Sequence, residues 1–295
     1  MMASSHEQPS FYVSVAGHTD VGRVRQKNED AFTVVDLTGG NLLDGASHAR
    51  FNVGERGVLL AVSDGMGGAE AGEVASALVL ETLTRALAKA PPETPRDKLM
   101  TDAIQRAHQA VFQLAQRESK KMGATLTTAF VHAGQAFIAE VGDSRAYLVR
   151  AGQIAQLTHD QSLVQALVDR GVLNAEEAGE SQMRNVILQA MGHQPEVKVA
   201  LAKLELRDRD CLVLCSDGLT IHVSDEEIRD AVLACRRPQE ISQRLVALAN
   251  DRGGKDNITV LVAGIGGALD SVKPDETVDD TFEVLSTFEA PFPKG

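Results

Sequence analysis

The sequence predicts an α+β domain in which two β-sheets pack as a core and paired helices flank them. Two observations carry this reading. β-prone runs come in blocks divided by glycine-containing turns, and between the blocks lie pairs of stretches whose apolar residues recur at helical spacing. At 295 residues, one large domain with a loose end is the expected organisation.

In chain order, residues 11–16 alternate as a strand does, 31–35 are β-prone, and 58–62 form an apolar run that stops at Ser63-Asp64-Gly65. Residues 37–57, rich in Gly, Asn and polar side chains, read as an extended hairpin loop. Helical spacing fills 71–90, Pro91-Pro92 breaks it, and a second helix is expected over 95–117. Four strand-like runs follow at 126–132, 135–141, 145–150 and 153–157, with turns at Gly134, Gly142 and Gly152, as in a β-meander. Residues 162–193 interrupt the sheet with a short helix over 162–170, an acidic stretch at 176–180 and a helical piece at 184–191. Strands resume at 197–206 and 211–215, helices are expected over 225–234 and 238–250, and 258–264 closes with a strand. Beyond Gly266-Gly267 no period is sustained. Residues 266–295 carry seven acidic and two basic side chains, a net of −5, and are expected as a disordered acidic tail, with residues 1–10 a flexible N-terminus.

Hydrophobic residues make up 43% of the chain but aromatics only 4%, with no tryptophan, so the core is built on aliphatic side chains. A net charge of −12 repels nucleic acid and anionic membranes while attracting divalent cations and basic partners. Three cysteines cannot pair completely; Cys211 and Cys215, at even spacing on an apolar run, point to one face of a strand and read as reduced core residues. The N-terminus is polar, and no stretch approaches the roughly 20 apolar residues that span a bilayer. The expectation is a cytoplasmic monomer with no nucleic-acid or membrane partner.

The chemistry lies in acidic residues at strand ends beside glycine or polar turns, where carboxylates can converge while the backbone approaches closely. They are Asn28-Glu29-Asp30, Asp64-Gly65-Met66-Gly67-Gly68, Gly142-Asp143-Ser144, Ser216-Asp217-Gly218 and Lys255-Asp256-Asn257. Each alone is an ordinary turn; together they make an oxygen-rich donor set suited to magnesium or manganese. Zinc would call for Cys or His at ligand spacing. Cys215 leads into Ser-Asp-Gly-Leu-Thr-Ile, without the arginine of a cysteine-phosphatase loop, and no Gly-Lys-Ser or Gly-Lys-Thr follows Gly65–Gly72.

These segments, together with Arg25 before Asn28, Arg145 after Ser144 and Ile258-Thr259 after Asn257, resemble in order and spacing the signatures of the PPM, or type-2C, phosphatases, in their bacterial style. The likeness runs over nearly all of the chain but the tail. It implies a four-layer αββα sandwich spanning 11–265, with two antiparallel sheets and a metal cleft at one end. It also implies a protein phosphatase that hydrolyses phosphoserine and phosphothreonine with metal-activated water and opposes a bacterial Ser/Thr kinase.

By the same resemblance, Asp64 bridges two Mn2+ or Mg2+ ions with the Gly65 carbonyl on one of them, and Asp217 and Asp256 bind the other. Asp143 shares a third, weaker ion with Asp217. Glu29 and Asp30 orient metal-bound waters, and Arg25 binds phosphate. Members with a histidine two residues after the first aspartate have a general acid there; this chain has Met66, and the acid is unassigned. Residues 160–194 resemble the family's flap, departing from its pattern at 159–161, 180–183 and 188–190. Intact Asp64, Asp217 and Asp256 argue against a catalytically silent regulator, and the −12 charge against a two-metal nuclease.

Overall fold

The β-prone blocks pair into two antiparallel sheets in a computed structural model that describes residues 11–43, 48–67 and 71–290. Outside these lie the expected flexible N-terminus (1–10), residues 44–47 of the expected hairpin loop, Gly68 with residues 69–70, and the last five residues of the tail. The strands are β1 Phe11–Asp20, β2 Ala31–Asp36, β3 Asn41–Leu43, β4 His48–Asn52, β5 Val58–Ser63, β6 Gly65–Met66, β7 Gly123–Ala124, β8 Leu126–His132, β9 Gln135–Val141, β10 Arg145–Arg150, β11 Gln153–Gln156, β12 Ala200–Glu205, β13 Cys211–Cys215, β14 Ile258–Gly267 and β15 Phe282–Ser286. The helices are α1 Ala71–Lys89, α2 Arg96–Glu118, α3 Leu163–Val168, α4 Ala175–Glu180, α5 Asp217–Thr220, α6 Asp225–Ala234 and α7 Pro238–Asp251.

One sheet runs β11-β10-β13-β14-β1-β4, the other β15-β12-β9-β8-β5-β2-β3, and β6 pairs with β7 alone. β5 shows why the layers form. Its residues are apolar on both faces: Leu59 and Ala61 pack under α1 and α2, whereas Val58, Leu60 and Val62 meet the facing sheet. In α1, Ala75, Val79, Leu83 and Leu87 fall at four-residue spacing and bury that stripe on the sheet. On the other side β10, β13 and β14 present Tyr147, Val213 and Val260 to α6 and α7. The result is the expected αββα order. Leu60 is wholly buried between the sheets, and Leu60→Ala would cost about 2–5 kcal/mol.

Four expectations need correction. The 37–57 loop contains β3 and β4, which pair with β2 and β1 in different sheets; β4 is an edge strand with alternating exposed residues, and its polar composition masks it. The meander is split: β8 and β9 lie in one sheet, β10 and β11 in the other, and Gly142, at φ +111°, begins the crossing. No helix forms over 184–191; that stretch is held by isolated bridges, Ser162 to Ile187 and Ala124 to Met191.

The fourth correction is the tail. β15 pairs with β12, setting Phe282 opposite Leu204 and Val284 opposite Ala202. Arg150 Nη1 donates to Thr281 Oγ1 at 2.6 Å, and Arg207 Nε to Glu276 Oε1 at 2.9 Å. Acidity there neutralises two buried arginines as well as facing water, and these bonds offset the cost of ordering the segment. Cys211 and Cys215 are free and buried, as expected. No helix among the described residues is long and apolar enough to cross a membrane.

Candidate metal centre

Asp64 follows β5 and is held from both sides by one threonine. Thr125 N donates to Asp64 O at 2.8 Å, Asp64 N donates to Thr125 Oγ1 at 2.9 Å, and Ser144 Oγ lies 2.8 Å from that hydroxyl. Gly65 N donates to Glu29 O at 3.1 Å, and a Cβ on Gly65 would overlap the Gly72 carbonyl, so only glycine lets β6 pass this close to the start of α1. On the facing sheet, Ser216 follows β13, donating from Oγ to Asp30 Oδ2 at 2.6 Å and accepting from Thr259 N at 3.0 Å. A Cβ on Gly218 would overlap the Asn257 carbonyl, so the Asp217 turn lies directly on the 256–257 loop.

Asn257 fastens the arginine loop. Its Oδ1 accepts from Glu29 N at 2.8 Å, and its Nδ2 donates to Val21 O and Lys27 O at 3.0 and 2.8 Å. Arg25 Nη2 donates to Asp256 Oδ2 at 2.7 Å, yet half of the arginine side chain stays open. Arg25, Glu29, Asp64, Gly65, Asp217 and Asp256 thus line one cleft of about 370 Å3, with Asn185, Gln189 and His193 lining it as well. Asp143 lines an adjoining hollow of about 280 Å3, which also reaches Asp217 and is bordered by the Arg145–Asp160 pair. Asp30 does not line the cleft. It lies beneath it, 8% exposed.

Burial, then mutual repulsion, raises Asp30, Asp64, Asp143 and Asp217. The Asp64 carboxyl, deep at the cleft floor although the residue keeps an open side, is pushed well above the usual carboxylate range, with Asp30 and Asp217 adding to the desolvation. Asp217 is raised likewise, by burial first and then by repulsion from Asp143 and Asp256. Burial lifts Asp30 to about 6 and Asp143 to about 7. Arg25 is held more firmly protonated by its hydrogen bond to Asp256.

Two buried oxygens, Asp30 Oδ1 and Asp217 Oδ1, have no hydrogen-bond partner. Each such orphan costs about 1–3 kcal/mol, and more when charged. The donor set therefore fits hard divalent cations. Among the described residues no three His, Cys, Asp or Glu side chains close around one point as a cage. Magnesium-like ions keep several waters and take one or two carboxylates each, so an open arrangement suits them.

Every site residue expected from the sequence thus falls at one end of the sandwich, divided between the cleft, its neighbour and the layer below. Sequence reasoning missed the supports. Asn257 was visible only as the residue after Asp256, and Thr125 carries no local signal because its partner is 61 residues away. His193, which belongs to none of the acidic segments, also lines the cleft.

The protein phosphatase 2C family matches residues 21–251. The serine/threonine protein phosphatase PstP of Mycobacterium tuberculosis is 38% identical over 256 residues, 85% of this chain and 44% of PstP, so the chain spans under half of that relative's length. The serine/threonine phosphatase stp of Listeria monocytogenes is 34% identical over 249 residues, 83% of this chain and 92% of stp. A crystal structure of the PstP catalytic domain with two manganese ions superposes with a TM-score of 0.72 at 35% identity, covering 87% of this chain and 99% of that one. With the family match running through the loops that carry Asp30, Asp64, Asp143 and Asp217, the chain belongs to the protein phosphatase 2C, or PPM, family, of the kind found in bacteria.

Proposed function

We propose that the protein is a metal-dependent phosphatase that hydrolyses phosphoserine and phosphothreonine on other proteins, as a cytoplasmic monomer opposing a Ser/Thr kinase. The observation that supports this most is the buried cluster of aspartates with two orphaned oxygens, opening into a cleft that also presents a half-exposed guanidinium. Asp64, the Gly65 carbonyl, Asp217 and Asp256 would hold two Mn2+ or Mg2+ ions, and Asp143 with Asp217 a third. Such ions, when bound, lower the pKa of water and offset charge on a phosphoryl group.

The chain's own residues supply the positioning. Arg25 offers a planar fork able to take two phosphate oxygens, and its bond to Asp256 aims it into the cleft. Asp30, fixed by Ser216, and Glu29, whose main chain is tied to Asn257, are acceptors that orient attacking water. Met66 lines the cleft and has no proton to give to a leaving alkoxide.

The test is hydrolysis of a phosphothreonine peptide and of an aryl phosphate with Mn2+, with Mg2+ and after exhaustive chelation. Activity should appear only with the ions. Full activity in the chelated protein rejects the reading.

A further inference from the structure

A separate hollow of about 580 Å3 has a size typical of small-molecule sites. It opens between the β11 end of one sheet and the β12–β15 edge of the other. Ile138, Leu157, Ala202, Phe282, Val284 and Phe288 give it apolar walls. Among them lies Glu140, only 5% exposed, whose two carboxyl oxygens both accept from His159 N at 2.9 and 3.0 Å. Burial, with a smaller push from Asp160, raises the Glu140 carboxyl to about 8. A carboxyl so desolvated is stabilised as an anion when a positive charge arrives. The other charged groups on the cavity are engaged: His159 Nε2 lies 2.8 Å from Asp169 Oδ2, and Arg170 and Glu289 have contacts of their own.

The cavity shares a wall with the candidate metal centre. Ala166 of α3 and the following Asp169 line this hollow, whereas Val164, Gln165 and Val168 line the one that holds Asp143 and Asp217. The connection continues through the loop before α3. His159 bonds Glu140 and Asp169, and Asp160 grips Arg145 with Nε to Oδ1 at 2.8 Å and Nη2 to Oδ2 at 2.7 Å.

We propose that this cavity binds a small amphipathic cation, an apolar body carrying one protonated amine that pairs with Glu140, and that its occupancy is transmitted through α3 to the Asp143–Asp217 side of the metal centre. The binding half stands on the cavity alone; the coupling half rests on reading those aspartates as metal ligands. The two are therefore tested by separate readouts.

The probe is 4-phenylbutylamine, titrated by calorimetry into the full-length protein with and without manganese, beside 4-phenylbutanol as the uncharged match. The amine should bind saturably, and Glu140→Gln and the alcohol should each weaken binding by about tenfold, the scale of one charge-assisted pair. Val284→Trp, at a side chain 57% exposed, should obstruct the mouth without lowering the melting temperature. No binding at millimolar probe, equal binding of amine and alcohol, or binding indifferent to both variants overturns the site. If the amine binds but leaves manganese affinity unchanged, the coupling is overturned and the site stands.

Discussion

Two clusters of buried charge act on the stability of this domain in opposite ways. Around the cleft, Asp30, Asp64, Asp143, Asp217 and Asp256 gather with one sign of charge; burial and repulsion raise the pKa of Asp30, Asp64, Asp143 and Asp217, and two oxygens are left without partners. Under the C-terminal segment the signs alternate. Arg150 donates to both oxygens of Asp210 at 2.8 and 2.7 Å and to Thr281, while Arg207 grips Glu276. That second network is nearly water-free, with Arg150 4% and Asp210 1% exposed, and none of its side-chain atoms is orphaned. Unsatisfied like charge marks a place that a cation must complete; satisfied alternating charge marks a latch that needs nothing further.

The largest effect expected from this contrast is on turnover. Asp64→Asn should lower kcat/KM by more than about a thousandfold, equivalent to about 4 kcal/mol of barrier, while the chelated variant melts at or above the parent temperature because one repelling carboxylate is gone. Turnover assays paired with thermal melts in chelator check both halves. A variant that loses stability in proportion to activity would make the cleft another latch.

At the latch the opposite pattern is expected. Asp210→Ala strands Arg150 and should destabilise the fold by about 3–5 kcal/mol in urea titrations, with kcat/KM per folded molecule nearly unchanged. Truncation after Gly267 removes Glu276 and Thr281 and should act in the same direction. An undiminished midpoint for both variants would mean that the network contributes no net stability.

A third expectation concerns pH. Asp30, Asp143 and Glu140 titrate at about 6, 7 and 8 in the metal-free fold, against ordinary values near 4 in the unfolded chain. Folded values above unfolded ones mean that the unfolded state releases these protons first. The stability they contribute is complete below about pH 4 and is lost as pH rises through the folded values, at up to about 1.4 kcal/mol per proton and pH unit. Melts in chelator should therefore fall between about pH 5 and 8, and manganese should flatten the decline because the ions replace protons at the aspartates. A flat profile in chelator would show that the acids are hydrated.

Much of this was legible in the sequence because it is local. Each aspartate sits in a short turn at a strand or helix end, and the helix pairs announce themselves by period. What was not legible depends on distant partners. β4 is an edge strand defined by pairing to β1, and the tail is ordered by Arg150 and Arg207. Acidic residues there looked like solvation, since nothing nearby in sequence shows that buried arginines await them. Thr125, which fixes Asp64, is hidden for the same reason.

The smallest expected effect tests Arg25, whose guanidinium engages an aspartate of the acidic cleft. Arg25 is half exposed, and its partner Asp256 keeps 22% of its side-chain surface open, so the pair is close to a surface ion pair and contributes within about 0.5 kcal/mol to stability. Arg25→Ala should leave the melting temperature and manganese affinity as they are, while raising KM for a phosphopeptide by about tenfold through the loss of charge-assisted hydrogen bonds to phosphate. Arg25→Lys separates charge from shape. Lysine can restore a positive charge beside Asp256 but presents no planar fork, so recovery of KM should be partial. Full recovery would reduce Arg25 to a point charge, and a drop in manganese affinity in either variant would place it among the supports of the metal site.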